Sequence, residues 1–267
     1  EVVRPDGVPL LTFLGTGAAG GTPGRGRSCR RESSALVESA CGSVLIDAPA
    51  GVEGLADFDA LRAVLITHAH RDAIGGLQGL RRECRRLGTG PVRLLASPEA
   101  LSVVAPHAGA LDPLVPVPVE PGSRRRVGDF QLRCVEVPHA RERRFRAYAW
   151  RLRLGGVSVV YASDVARLEA PLVRFSRGAD LLIVDGAMWR RGLYSHLTID
   201  RELPSLCRWP VGRILLTQIG RSAPAHATLA REVAALCARA APACDGLRVE
   251  LRPRHQQHRA GRPVDQP

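Results

Sequence analysis

The segment from Leu65 to Leu77, which reads LITHAHRDAIGGL, constrains this chain more than any other. An apolar run leads directly into His68, His70 and Asp72, which occupy alternating positions. Residues two apart in an extended segment point the same way, so these three side chains can converge on one point just beyond a strand. Imidazole and carboxylate groups together suit zinc, iron or manganese. The segment therefore predicts a metal site at a strand end.

Composition favours one compact domain without membrane spans. The 267 residues are 45% hydrophobic, which allows a substantial core. No apolar run approaches the roughly 20 residues of a membrane helix, so we expect no membrane partner. We predict a single domain over residues 1–254 and a polar tail over residues 255–267.

The net charge of +12 results from 38 basic residues, all of them arginine, and 26 acidic residues. A bias this uniform indicates genome composition, although basic clusters at 81–86, 124–126 and 141–146 would attract anions. We interpret the first two clusters as solvated surface. The third follows a candidate ligand, His139, and can contact a substrate. The seven cysteines are scattered and form no C-x-x-C pair, which predicts reduced thiols in a cytoplasmic protein.

Two successive sets of short apolar strands, with helices interspersed, predict two packed sheets covered by helices. The first set has strands at Val8–Leu14, Ser34–Glu38, Ser43–Asp47, Ala63–Thr67 and Val92–Leu95, with helices at Ala73–Leu87 and Ser97–Ala105. The proline-rich segment Pro113–Pro121 is predicted to bend between the halves. The second set has strands at Phe130–Val137, Ala147–Leu154, Val157–Ala162, Leu181–Asp185 and Arg213–Thr217, with helices near Arg167–Arg177, Ile199–Cys207 and Ala225–Ala240.

A glycine-rich segment from Gly15 to Gly20 matches the G-x-G-x-x-G dinucleotide fingerprint. That fingerprint must open a helix, whereas here proline and an arginine-rich loop lead into another strand. We therefore predict a loop that passes close to a pocket, and no dinucleotide site.

Three later strands also end in polar residues: VEVPHA places His139, VVYASD places Asp164 and ILLTQ places Gln218. Each alone is weak evidence, since a strand-ending aspartate is usually a turn or a cap. Together with the HAHRD segment they predict one site along a shared sheet edge.

These motifs, with LGTGAAGGTP, LIDAPAG, IVDGAMW, SHLTID and LLTQIG, occur in an order that resembles metallo-β-lactamase-fold hydrolases. The resemblance is to the branch that includes the phosphonate-catabolism phosphodiesterase, the tRNA 3′-processing endonuclease and the pyrroloquinoline-quinone biosynthesis protein B. It covers nearly the whole chain. It implies an α/β fold, a four-layer αββα sandwich, with the metal site at one edge between the sheets.

The resemblance also implies roles for the ligands. His68, His70 and His139 correspond to the three histidines of the first metal, and Asp164 corresponds to the carboxylate that bridges two metals. Asp72 corresponds to a ligand of the second metal.

Two further residues receive roles from the resemblance. Asp47 resembles the buried carboxylate that supports this loop from behind the ligands and fixes imidazole orientation. His196 matches a histidine beside the scissile group and is the candidate general acid.

Two departures from the family pattern reduce the second metal site. The usual H-x-H-x-D-H has Ala73 in place of its last histidine, and Gln218 stands where the late strand usually ends in histidine. We predict that the site holds one metal ion. Zn²⁺ is the preferred ion, and iron and manganese are the alternatives. His226 could replace a missing ligand only if its side chain turned toward the metal site. We interpret it as a surface residue at the start of a helix.

The leading hypothesis is metal-assisted hydrolysis of a phosphodiester or similar small anionic ester. One Zn²⁺ with an open position lowers the pKa of bound water to about 7, giving hydroxide. Asp72 would orient or deprotonate that water. Arg141, Arg143 or Arg144 would hold the anion, with Gln218 beside it.

Two other hypotheses stay open. A non-haem iron oxidoreductase suits three histidines and a carboxylate equally well. A decayed site that binds a ligand or nucleic acid without turnover would explain the two lost ligands, but nucleic acid is not favoured because no inserted arm is visible. The sequence leaves the oligomeric state open, a homodimer included.

Overall fold

The described part of the chain contains fourteen strands in two sheets, six α-helices and two short 3-10 helices. The structure is a computed structural model that describes residues 7–105, 111–139, 146–192 and 194–253. The strands are β1 (Leu10–Gly15), β2 (Ser34–Ser39), β3 (Gly42–Ile46), β4 (Leu61–Leu65), β5 (Val92–Ala96), β6 (Leu114–Pro118), β7 (Arg124–Val127), β8 (Phe130–Val137), β9 (Ala147–Leu154), β10 (Val157–Ala162), β11 (Leu181–Asp185), β12 (Arg213–Thr217), β13 (Ala240–Pro242) and β14 (Arg248–Glu250). The helices are α1 (Arg71–Ile74), α2 (Leu77–Leu87), α3 (Pro98–Val104), α4 (Ala170–Ser176), α5 (Ile199–Leu206) and α6 (His226–Leu236).

Each sheet contains seven strands and mixes antiparallel with parallel pairs. The first has the order β14-β1-β2-β3-β4-β5-β6, and it is parallel from β3 to β6. The second has the order β13-β12-β11-β10-β9-β8-β7, and it is parallel from β10 to β13. The carboxyl ends of parallel strands meet at one edge of a sheet, which is where α/β proteins place their sites.

Three layers of buried apolar side chains separate the sheets and the helices. Phe13 of β1 and Trp150 of β9 lie in the layer between the two sheets. Leu80 of α2 belongs to the layer outside the first sheet. Leu203 of α5 and Val233 of α6 belong to the layer outside the second sheet. Since a helix or sheet must bury its apolar face against another element, these layers define the αββα sandwich. The fold predicted from the sequence is confirmed.

The predicted bend over Pro113–Pro121 was wrong in part, because β6 occupies Leu114–Pro118 and pairs with β5. Proline cannot donate to a strand ladder and is tolerated at a sheet edge. β6 is the edge strand of the first sheet, which accommodates Pro116 and Pro118. The prediction also missed β7, which lies in an arginine cluster, and the three-residue strands β13 and β14.

The prediction that all cysteines are reduced was wrong for two of them. Cys207, just after α5, and Cys237, just after α6, form a disulfide with a Cα–Cα distance of 5.6 Å. The two residues are 30 positions apart, so their proximity depends on helix packing that no local pattern shows. Among the described residues, no helix has the length and apolar character needed to cross a membrane.

Candidate metal centre

Strand ends and one short helix deliver the predicted ligands to a common point. His68 lies three residues beyond β4, and His70 directly precedes α1. His139 lies two residues beyond β8, and Asp164 two residues beyond β10. The predicted ligands therefore come from both sheets, at the edge where the sheets meet.

The imidazoles of His68, His70 and His139 form a tight cluster. One nitrogen from each lies within 4.8 Å of the others, a spacing that one metal ion can bridge. Their ring centroids are 4.7 to 5.2 Å apart and their planes cross steeply. The sequence prediction that these residues converge agrees with this geometry.

A chain of hydrogen bonds sets the tautomer of His68. The Thr67 hydroxyl donates to Asp47 at 2.8 Å, and the Thr67 backbone N–H donates to the same carboxylate at 2.8 Å. With its proton committed, the Thr67 oxygen accepts from His68 Nδ1 at 2.9 Å. Nδ1 then carries the hydrogen, and the lone pair is at Nε2. That buried Nε2 has no hydrogen-bond partner among the described residues. It is therefore available as a metal ligand.

Burial shifts the pKa values of the two groups at the ends of this series of hydrogen bonds, His68 and Asp47. It lowers the pKa of His68, which favours the neutral, metal-binding imidazole. Burial also raises the pKa of Asp47, and the hydrogen bonds from Thr67 oppose that effect. Asp47 thus lies behind the ligands as the sequence predicts, but it reaches His68 only through Thr67, which sequence reasoning missed.

His139 is oriented in a similar way. Its Nδ1 lies 2.9 Å from the backbone carbonyl of Ser195, which can only accept, so Nδ1 carries the hydrogen. The other nitrogen, Nε2, lies 3.3 Å from Nδ1 of His70. A cation between these two nitrogens would let both present lone pairs to it.

The carboxylate side of the site is organised around Gln218. Its amide nitrogen donates to Asp72 Oδ2 at 3.0 Å and to Asp164 Oδ1 at 2.9 Å. Both carboxylates are buried, and neither can donate a hydrogen bond when ionised. The amide is oriented by this requirement, because the opposite orientation would place its oxygen against two acceptors. Gln218 therefore links the two carboxylates.

Asp164 lies at the junction of the two sides. Its Oδ2 lies 3.9 Å from His68 Nδ1, and its Oδ1 lies 3.9 Å from His139 Nε2. Its Oδ2 also accepts a hydrogen bond from the Ser163 hydroxyl at 2.5 Å. Burial raises its pKa, but His68, His139 and the neighbouring His196 outweigh that effect and lower it to about 2. Asp164 is thus an anion well placed to share a cation with the histidines.

His196 is held by Asp185, a residue to which the sequence interpretation gave no role. Its Nδ1 lies 2.7 Å from Asp185 Oδ2, and the same carboxylate accepts the backbone N–H groups of Val165 and Ala187. Burial alone lowers the pKa of His196, but the charge and hydrogen bond of Asp185, with further carboxylates nearby, raise it to about 9. A proton-donating role was predicted for His196, and it lies 5.2 Å from His139 between ring centroids.

Two residues at the site adopt left-handed backbone conformations. Asp47 has φ of 58° and Gln218 has φ of 56°, and they are the non-glycine residues with positive φ in the described part of the chain. Such conformations cost of order 1–3 kcal/mol and cluster at functional sites. Each one directly follows a strand, β3 or β12, and turns its side chain toward the ligands.

A pocket of about 800 Å³ opens onto the site. The loop at Ala18 to Gly21 forms one wall, which agrees with the predicted role of the glycine-rich segment. No α-helix follows that loop before β2, so the helix that a dinucleotide fingerprint has to open is missing at this position. Arg71 and Arg221 line the pocket, and neither was predicted from the sequence. The predicted substrate-binding Arg141, Arg143 and Arg144 lie outside the described residues.

Ala73 and His226 behave differently from the ligands. Ala73 is buried within α1 and does not line the pocket. His226 begins α6, where its Nδ1 contacts the Arg30 guanidinium at 2.9 Å. It belongs to none of the ligand groups among the described residues, in keeping with its interpretation as a helix-start residue.

A family model described as a beta-lactamase superfamily domain matches residues 43–242. Zn²⁺-bound PqqB from Methylobacterium extorquens has a similar structure, with a TM-score of 0.76 and 20% identity over 91% of this chain and 100% of that one. A diphosphatase from the PhnP family has a TM-score of 0.75 and 23% identity over 90% of this chain and 96% of that one. These likenesses show the shared fold, and the resemblance inferred from the motifs is confirmed.

One curated relative is the octanoyltransferase of Porphyromonas gingivalis, 26% identical over 245 residues. The match covers 80% of this chain and 46% of that protein. This chain therefore spans about half the length of that relative.

Proposed function

The chain belongs to the beta-lactamase superfamily, and from that premise we propose that it is a metal-dependent hydrolase with one cation at its centre. The observation that carries the proposal is the arrangement of His68 and His139. In both, hydrogen bonds assign the proton to Nδ1, which leaves Nε2 as a lone-pair donor in the ligand cluster.

The residues present fit a divalent cation such as Zn²⁺. The buried Nε2 of His68 needs a partner, since an unsatisfied buried polar atom costs roughly 1–3 kcal/mol. Three imidazoles with a nearby carboxylate are a donor set typical of zinc. When bound there, such a cation supplies Lewis acidity and activates a water molecule.

Gln218 supports a count of one cation. Asp72 and Asp164 are the carboxylates that a second cation would need, and the Gln218 amide already donates to both. This neutral group takes over the contacts that a second cation would make.

Asp72 and His196 would share the proton movements of hydrolysis. Asp72 Oδ1 lies 3.7 Å from His68 Nε2, so this carboxylate faces the centre and can accept a proton from the attacking water. His196 is anchored through Nδ1 to Asp185, which leaves Nε2 to donate a proton to the leaving group.

The substrate we propose is a small anionic ester, with a phosphodiester first. Arg71 and Arg221 line the pocket, and guanidinium groups match phosphate oxygens in pairs. The structural neighbour from the PhnP family is named as a diphosphatase, which supports the same substrate class. The role of Arg141, Arg143 and Arg144 in holding the anion stays a prediction.

An acyl ester or thioester is a second candidate class. Ala50, Ala187 and Met188 contribute apolar surface to the wall of the pocket. Such a wall suits an acyl chain, and the curated relative is named for octanoyl transfer.

A metal assay combined with a substrate panel tests the proposal. Protein purified without added metal should contain about one equivalent of zinc or manganese and should hydrolyse a chromogenic phosphodiester. An octanoyl thioester and a lactone, assayed in parallel, distinguish the acyl class. If the protein contains iron, consumes oxygen and hydrolyses none of these esters, the hydrolase proposal is overturned in favour of an oxidoreductase.

A further inference from the structure

A second cavity, of about 310 Å³, lies on the second sheet away from the metal centre. Its lining contains no acidic residue among the described residues. It contains six arginines, which are Arg124, Arg125, Arg126, Arg133, Arg151 and Arg153. The basic cluster at 124–126, interpreted from the sequence as solvated surface, is therefore part of a larger concave feature.

Strand register arranges most of these arginines in two rows. Arg124 of β7 is opposite Arg133 of β8, which is opposite Arg151 of β9. In the next row on the same face, Arg126, Gln131 and Arg153 are opposite one another. We call the six residues of these two rows, five arginines and Gln131, the arginine grid; Arg125 lines the cavity but is not part of the grid. Strands lie about 4.8 Å apart, so each row spans about 10 Å.

The positive charges of the grid are not neutralised by ion pairs among the described residues. Like charges directly opposite one another destabilise a sheet. Burial lowers the pKa of Arg151, and the charges of Arg153 and Arg133 lower it further. Arg151 has a structural role, because it donates to the carbonyls of Phe175 and Arg177 at the end of α4. Arg124, Arg133 and Arg153 are exposed, and their side chains take no part in a comparable contact with the described residues.

The grid is bounded, which determines the kind of anion it fits. Helix α4 covers β8 and β9 on one side of it. On the other side, Asp129 and Asp180 share a depression with Arg153. A nucleic-acid strand needs a basic track that continues, together with aromatic side chains for base stacking. The lining of this cavity contains no aromatic residue among those described.

We propose that the arginine grid binds a compact polyphosphate group, supplied either as free triphosphate or as the triphosphate of a nucleotide. Guanidinium groups bind phosphate oxygens in a bidentate manner, and several of them converge on this cavity. The site is separate from the metal centre. Arg133 precedes His139 by six residues of mostly extended chain, which corresponds to about 20 Å.

Isothermal titration calorimetry with sodium tripolyphosphate at low ionic strength tests the site. The test variant is Arg124→Gln with Arg133→Gln, which leaves Arg151 and its contacts to α4 intact. The matched control is Arg82→Gln with Arg201→Gln, two exposed arginines on α2 and α5 that remove the same charge. We expect the test variant to lose roughly tenfold or more in affinity, and the control less than about twofold, since exposed charges at a distance are screened.

Thermal melting and further ligands complete the test. The melting temperature of the test variant should stay equal or rise, because like charges have been removed. If the affinity for tripolyphosphate falls by the same factor in the test variant and in the control, the proposal is overturned. ATP binding more tightly than tripolyphosphate identifies a nucleotide as the source, and equal or weaker binding identifies the free anion. Absence of tripolyphosphate binding to the unmodified protein, or tighter binding of single-stranded RNA than of tripolyphosphate, would also overturn it.

Discussion

The histidine side and the carboxylate side of the metal centre differ in how their polar atoms are hydrogen-bonded. On the histidine side, His68 Nδ1 donates to the Thr67 hydroxyl oxygen and His139 Nδ1 donates to the Ser195 carbonyl, which leaves the Nε2 atoms facing the centre. On the carboxylate side, the Gln218 amide donates to both Asp72 and Asp164. The histidine side is thus prepared for a cation, whereas the carboxylate side already has a neutral donor.

With the single cation that we propose, this difference would explain why two carboxylates remain at the site although Ala73 and Gln218 replace two histidines of the family pattern. Two buried carboxylates close together repel each other unless a cation or donors lie between them. An amide NH₂ has two donor hydrogens, which matches the two acceptors. The Gln218 amide can therefore stabilise the two carboxylates in the way that a second cation would.

The largest expected effect comes from breaking the histidine side. His68→Ala with His70→Ala removes two of three imidazoles, so metal content and hydrolysis should both be abolished. Metal analysis of the purified variant checks this. His226→Ala, a histidine outside the ligand groups, should keep its metal. A double variant that retains full metal and activity would show that the centre lies elsewhere.

Removing the proposed proton donor should lower the rate while leaving metal in place. His196→Gln should reduce the hydrolysis rate by roughly 10²–10⁴-fold, the usual contribution of general acid–base catalysis. Metal content, measured on the same sample, should be unchanged. Loss of the metal in this variant would instead place His196 among the ligands, beside His139 and Asp164.

The hydrogen-bonded support of His68 can be weakened without touching a ligand. Asp47→Asn replaces one of the two oxygens that accept from Thr67, so the imidazole is less firmly oriented. We expect metal affinity to fall about 10–100-fold, measured by competition with a chelator. Asp180→Asn, which changes a carboxylate at the far end of β11, serves as the control and should not alter affinity.

The smallest expected effect would convert the carboxylate side into a second metal site. Ala73→His with Gln218→His restores the family's ligands, and metal stoichiometry should rise from about one toward two. Gln218→His alone tests whether removing the amide is sufficient. If the stoichiometry of the double variant does not change, positions 73 and 218 do not face the centre in the way that the family pattern implies.

Prediction from the sequence succeeded where structure depends on local pattern. The strands Phe130–Val137, Ala147–Leu154 and Val157–Ala162 were predicted with the bounds that the structure has. Their alternation of buried and exposed positions, or their continuous apolar character, is visible in the residues themselves. Prediction was weaker for the edge strands β6 and β7. Proline is tolerated in β6 because an edge strand leaves some N–H groups unpaired, and the run of charged residues in β7 lacks the apolar alternation that marks a strand.

The residues that orient the ligands were harder to predict than the ligands. Histidines after a strand carry a recognisable spacing, but Thr67, Ser195 and Asp185 are ordinary residue types at ordinary positions. The one available signal was adjacency, since Thr67 directly precedes His68. The Cys207–Cys237 disulfide, like the contact between Ser195 and His139, joins residues far apart in the chain.

The sequence by itself determined which groups can bind a cation, since residue type and position just after a strand mark His68, His70 and His139 as candidates for one site. Only the tertiary structure decided how those groups are used. A hydrogen bond depends on the position of two atoms to within a few tenths of an ångström. That precision arises when both sheets pack together, placing Gln218 between Asp72 and Asp164.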